Sequence, residues 1–113
     1  MQVHRTFGNG FKEVIYQRAL KIEFELDNLK FEREQEMSID YRDRAIGKRR
    51  VDFFVENSIM VEIKAITKLE DVHLAQAMNY LECYKIHIGL LLNFGQRSLD
   101  FKRVRNNHLN LGL

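Results

Sequence analysis

Proline is absent from this chain of 113 residues. Turns and helix ends therefore fall to glycine and asparagine, as in Gly8-Asn9-Gly10 and Gly95-Gln96. Cysteine occurs once, at Cys83, which excludes an internal disulfide framework and any zinc site built from several cysteines. No apolar run approaches the ~20 residues that a membrane-spanning helix needs, and no signal-peptide pattern opens the chain. The expectation is a soluble, cytoplasmic protein with no membrane partner.

What is present points to a globular fold. The composition is 45% hydrophobic and 30% charged, which excludes a disordered tail or a fibrous repeat. At this length residues 1–113 make a single domain, able to bury roughly two-thirds of its unfolded surface. The net charge is only +2, from 18 basic and 16 acidic residues, but the charges are segregated. Residues 42–50 hold five bases against Asp43, residues 102–108 add three bases and His108, and residues 23–36 hold six acids. Basic clusters suit phosphate backbones, and they equally suit solvated loops and tails.

Residues 11–29 place Phe11, Val14, Ile15, Ala19, Ile22, Leu26 and Leu29 at helical spacing, which predicts an amphipathic helix. Strand-like runs follow at 31–41, 49–56 and 59–65. A second helix spans 69–84, with Leu69, Val72, Ala77, Tyr80, Leu81 and Tyr84 inward, and further strands lie at 86–94 and 98–104. The order α-β-β-β-α-β-β predicts an α/β (α+β) domain with a mixed central sheet flanked by helices.

The stretch from Arg50 to Lys64 predicts a hairpin around Glu56-Asn57-Ser58. A three-residue loop pairs Val55 with Ile59, Asp52 with Glu62 and Arg50 with Lys64. It also puts Val51, Phe53, Val55, Ile59, Val61 and Ile63 on one apolar face, which a two-residue loop would spoil. Asp52 and Glu62 then oppose each other, a repulsion on the order of 4 kcal/mol at ~4 Å and an effective dielectric near 20. Two arrangements offset it: a surface network with Arg50 and Lys64, or a divalent cation between the carboxylates. In the second, Lys64 is within reach of a metal-bound water, and the group suits hydrolysis of a phosphodiester.

Asp52 followed by Glu62-Ile63-Lys64, after an N-terminal helix, resembles the PD-(D/E)xK nuclease superfamily. Gly47-Lys-Arg-Arg-Val-Asp52 resembles the GxxxxD element of its RecB-like branch, and Gln76-Ala-Met-Asn-Tyr80 that branch's QxxxY. Gly10-Phe-Lys-Glu13-Val-Ile-Tyr16 is similar to the signature of the GxxExxY family within the superfamily, as are Val72-His73, Asn79-Tyr80-Leu81 and Asn93-Phe94-Gly95. Two customary prolines are replaced, by Val51 and by Asn9. Family members usually carry another helical stretch before the segment that starts here at Val3, which implies a truncated or differently started chain.

The resemblance implies a restriction-endonuclease-like core and a metal-dependent nuclease acting on DNA, or alternatively RNA. Asp52, Glu62 and the carbonyl of Ile63 would ligate Mg²⁺ or Mn²⁺, and Lys64 would orient or deprotonate the attacking water. Glu13 would add an acidic ligand, unless it is only a carboxylate favoured by its helix N-terminus. Gln76 and Tyr80 would position Lys64 or the nucleic acid, with a core aromatic as the competing role for Tyr80. Tyr16 fits the core better than catalysis, and His73 could face the site. Lys48, Arg49 and Arg50 would contact the phosphate backbone. A catalytically silent nucleic-acid-binding module, or a structural or regulatory subunit, shares the same fold expectation. Fold analogy also suggests a homodimer.

Overall fold

The computed structural model describes residues 1–107; His108, at the end of the second basic cluster, lies outside the described residues. The elements are α1 (Gln2–Phe7), α2 (Glu13–Leu26), β1 (Phe31–Tyr41), β2 (Arg44–Val55), β3 (Ile59–Lys64), α3 (Asp71–Tyr84), β4 (Ile88–Asn93) and β5 (Asp100–Arg105). The five strands form one sheet in sequential order. β3 and β4 are parallel, joined through α3, and the other neighbours are antiparallel. The fold is α+β, with a mixed sheet flanked by helices as expected.

The three-residue loop is present, with Val55 opposite Ile59 and Phe53 opposite Val61. Glu56 and Asn57 take the left-handed backbone that lets this hairpin close. On the other side β2 reaches back to Arg44, so residues 44–50 form a strand rather than a basic loop. The turn before it is Arg42-Asp43, both at positive φ.

Two apolar layers enclose the sheet. Tyr16 and Leu20 of α2, with Val3 of α1, pack on Phe53, Val55, Val61, Ile63, Leu92 and Phe94. Ala77 and Leu81 of α3 pack on Val51, Met60, Leu91 and Val104. Gly89 lets α3 approach closely, since a Cβ there would lie 3.2 Å from a Leu81 methyl.

Four expectations need correction. α1 is an added helix, too short to show periodicity, docked through buried Val3 and His4. The apolar stripe expected for α2 is not its buried face. Phe11, Val14, Ile22 and Leu26 are exposed while Tyr16, Gln17 and Leu20 are buried. Val72 of α3 is also exposed. Finally, Val51 does not share the face of Phe53, because it joins the α3 layer. The change of face falls at Asp52, whose register position on β1 is Glu34, a residue at φ 54°. A left-handed residue breaks the two-residue alternation that the sequence pattern assumes.

Candidate active site

The site forms where β2 and β3 part. Their pairing runs from Val55/Ile59 to Phe53/Val61. Beyond it, the Asp52 carboxylate accepts the Ile63 backbone N–H at 2.8 Å. Its other oxygen accepts the side-chain amide of Gln17, on α2, also at 2.8 Å. One side chain thus ties β2 to both β3 and α2.

Glu62 is 4% exposed. Burial, then the neighbouring Asp52 carboxylate, push its pKa from 4.5 up to about 7, against the opposing pull of Arg49 and Lys64. Arg49 Nη2 lies 3.2 Å from Glu62 Oε2, and the Arg49 guanidinium sits 4.2 Å from the Tyr80 ring centroid. The repulsion between the carboxylates is therefore met by the proton that Glu62 keeps up to about pH 7 and by Arg49. Arg50, expected to share the carboxylate face, instead meets Glu34 and Glu36 of β1, each at 3.7 Å. The face change at Asp52 exchanges the two arginines.

Lys64 ends β3, half-buried, close enough to Glu62 to lower its pKa. Tyr80 is half-buried beneath Arg49 and stacks on Tyr84. Gln76, one turn earlier on α3, is exposed. Glu13 is exposed at the start of α2, one turn before Gln17. Tyr16 belongs to the core, stacked on Phe94 at 4.5 Å with its hydroxyl donating to the Gly8 carbonyl. His73 serves the α3 N-terminus, where its Nδ1 accepts the Glu70 N–H at 2.9 Å. Lys48, Arg49 and Arg50 all face carboxylates, with Lys48 3.8 Å from Glu36. The acidic and basic segments thus lie against each other across β1 and β2.

Two supporting residues have roles that the sequence does not announce: Gln17, which no motif marks, and Asn93, marked only as part of the Asn93-Phe94-Gly95 segment. Gln17 follows Tyr16 and lies on the buried face of α2 between core residues, which is the signal that would have marked it. Asn93 is fully buried; it bonds both the N–H and the carbonyl of Ile66 at 3.0 Å and so fixes the chain leaving Lys64. Gly95 completes this brace, since a Cβ there would collide with the Ile66 backbone.

Among the described residues, no group of three or more His, Cys, Asp and Glu side chains is placed to hold a metal ion. Asp52 and Glu62 meet without Glu13. Two further observations fit a hard cation. Glu62 Oε1 and Gln17 Oε1 are buried oxygens without hydrogen-bond partners, next to a carboxylate pair that repels itself.

A mixed sheet between helical layers, with facing acids where two central strands separate, defines a restriction-endonuclease-like α+β domain. The family model of the PD-(D/E)XK nuclease superfamily matches residues 1–104, and the chain belongs to that superfamily. The solved structure of SSO0001 is similar in fold, with a TM-score of 0.64 at 20% sequence identity. The match covers 87% of this chain and 51% of SSO0001, so the chain spans about half that protein's length. No curated protein matches the chain. No helix among the described residues is long and apolar enough to cross a membrane.

Proposed function

We propose that this protein is a metal-dependent phosphodiesterase acting on nucleic acid, with DNA the favoured substrate, and that it belongs to the GxxExxY family of the RecB-like branch. The observation that carries the reading is the meeting of Asp52 with buried Glu62, beside Lys64 at the end of the same strand. Asp52, Glu62 and the Ile63 carbonyl would hold Mg²⁺ or Mn²⁺. Such an ion supplies Lewis-acid polarisation of the phosphoryl oxygens and a more acidic water. Lys64 orients or deprotonates the attacking water and stabilises negative charge gathering on the phosphate. Tyr80 positions the site from α3, and exposed Gln76 and Glu13 lie one helical turn from Tyr80 and Gln17, where substrate or a further cation contact would reach them. Lys48 and Arg50 contact the phosphate backbone once they leave Glu34 and Glu36.

The test is titration of Mn²⁺ into wild type and Asp52→Ala, followed by cleavage assays on single-stranded, duplex and branched substrates. Binding and cleavage that vanish in Asp52→Ala and, for cleavage, in Lys64→Ala are expected. The absence of both carboxylate-dependent metal binding and cleavage would defeat the reading. The ion pair of Arg49 with Glu62 favours a second reading, a silent nucleic-acid-binding module of the same fold. Salt-dependent binding without cleavage would select it.

A further inference from the structure

Arg49 is the cation that already meets the carboxylate pair. Its contact with Glu62 is a single one, Nη2 to Oε2 at 3.2 Å, which leaves Glu62 Oε1 and its own Nε without partners. A guanidinium committed to a carboxylate usually makes the two-point fork, which is the stronger arrangement. Here its plane rests on Tyr80, 4.2 Å from the ring centroid, a support that does not depend on Glu62. The Arg49 side chain is 28% exposed while that of Glu62 is 6% exposed, so Arg49 has an open side to move toward. Once a divalent cation joins Asp52 and Glu62, Arg49 stands beside a like charge and loses the reason for its contact.

We propose that Arg49 is a displaceable counter-cation: it neutralises Glu62 in the metal-free protein and yields that carboxylate to the metal ion while remaining against Tyr80. This rests on the metal-binding reading above and gives Arg49 a different role from contact with the nucleic-acid backbone. Arg49 holds the buried acid in place before metal arrives and sets how tightly the ion binds. It is a positioning residue, and its removal strengthens metal binding.

Calorimetric titration of Mn²⁺ into wild type, Arg49→Gln, Arg49→Met and Arg49→Lys tests this at pH 8.5, above the range where Glu62 retains a proton. Either neutral variant that keeps the native circular dichroism spectrum is expected to bind Mn²⁺ at least roughly fivefold tighter, and Arg49→Lys within about twofold of wild type. In chelator the neutral variants melt at lower temperature, and Mn²⁺ raises their melting temperature by more than it raises that of wild type. General damage to the site weakens binding, so equal or weaker binding by a folded neutral variant overturns the role. Wild type without Asp52-dependent Mn²⁺ binding overturns the metal reading itself, and this inference with it.

Discussion

The carboxylate of Asp52 holds the backbone N–H of Ile63 at 2.8 Å, at the level where the pairing of β2 with β3 has ended. A residue proposed as a ligand is therefore also a structural tie. Asp52→Ala orphans the Ile63 N–H and the Gln17 amide and is expected to cost about 2–3 kcal/mol in denaturant unfolding with chelator present. Asp52→Asn keeps an acceptor for Ile63 and removes the repulsion with Glu62, so it is expected to cost under about 1 kcal/mol. Both lose Mn²⁺ binding by calorimetry. Wild-type affinity in Asp52→Asn would remove Asp52 from the ligand set.

Gln17 orients that carboxylate from α2. Gln17→Leu preserves the volume and removes the hydrogen bond, so a loss of about 10- to 100-fold in Mn²⁺ affinity is expected with little change in melting temperature. A large drop in melting temperature with unchanged affinity would show that Gln17 serves the core alone.

Glu62 gives the metal-free protein a pH dependence of definite sign. Its folded pKa of about 7 lies above the ordinary 4.5, so the folded state keeps a proton that the unfolded chain has lost. The stability this provides is fully present below about pH 4.5 and lost as pH rises through about 7, on the order of 3 kcal/mol in all. Urea unfolding in chelator at pH 5.5 and pH 8 should show this decline in wild type, and Glu62→Gln should remove it. Mn²⁺ affinity should rise over the same interval, because the ion competes with the proton. A flat profile identical to that of Glu62→Gln would contradict the burial of the charge.

Lys48 and Arg50 are matched by Glu34 and Glu36 across the ribbon of β1 and β2. The double substitution Glu34→Gln, Glu36→Gln is expected to tighten binding to a DNA duplex and to steepen its salt dependence by about 0.9 for each additional phosphate neutralised. An unchanged slope would place the backbone contacts elsewhere.

Asn93 is the brace behind Lys64. Asn93→Ala leaves the Ile66 N–H and carbonyl without their partners and is expected to cost about 2–3 kcal/mol, measured by denaturant unfolding. Retained stability would mean that water replaces the amide.

The sheet core was legible because burial alternates toward the end of β2, while β3 and β4 are near-continuous apolar runs buried on both faces. Val55 opposite Ile59 came directly from the apolar pattern, and the α3 helix came from its spacing. What the pattern could not carry was a change of face. Glu34 at positive φ has no composition signal, and it is there that Arg49, rather than Arg50, turns toward Glu62. For α2, exposed Val14, Ile22 and Leu26 mimic a core stripe, while the buried face includes a glutamine that hydropathy reads as surface. Polar residues that support a site inside the core, such as Gln17 and Asn93, are hidden from hydropathy for the same reason.

β5 closes the sheet at one border, and Lys102, Arg103 and Arg105 are exposed along it. None makes an ion pair with a described residue. Two copies that joined these borders about a twofold axis would bring Lys102, Arg103 and Arg105 of one copy close to the same bases of the other, with Asp100 the one acid of each β5 to relieve them. The continuous ten-stranded sheet that an unguarded border would invite is therefore disfavoured. A pair of these molecules would have to meet through a different surface.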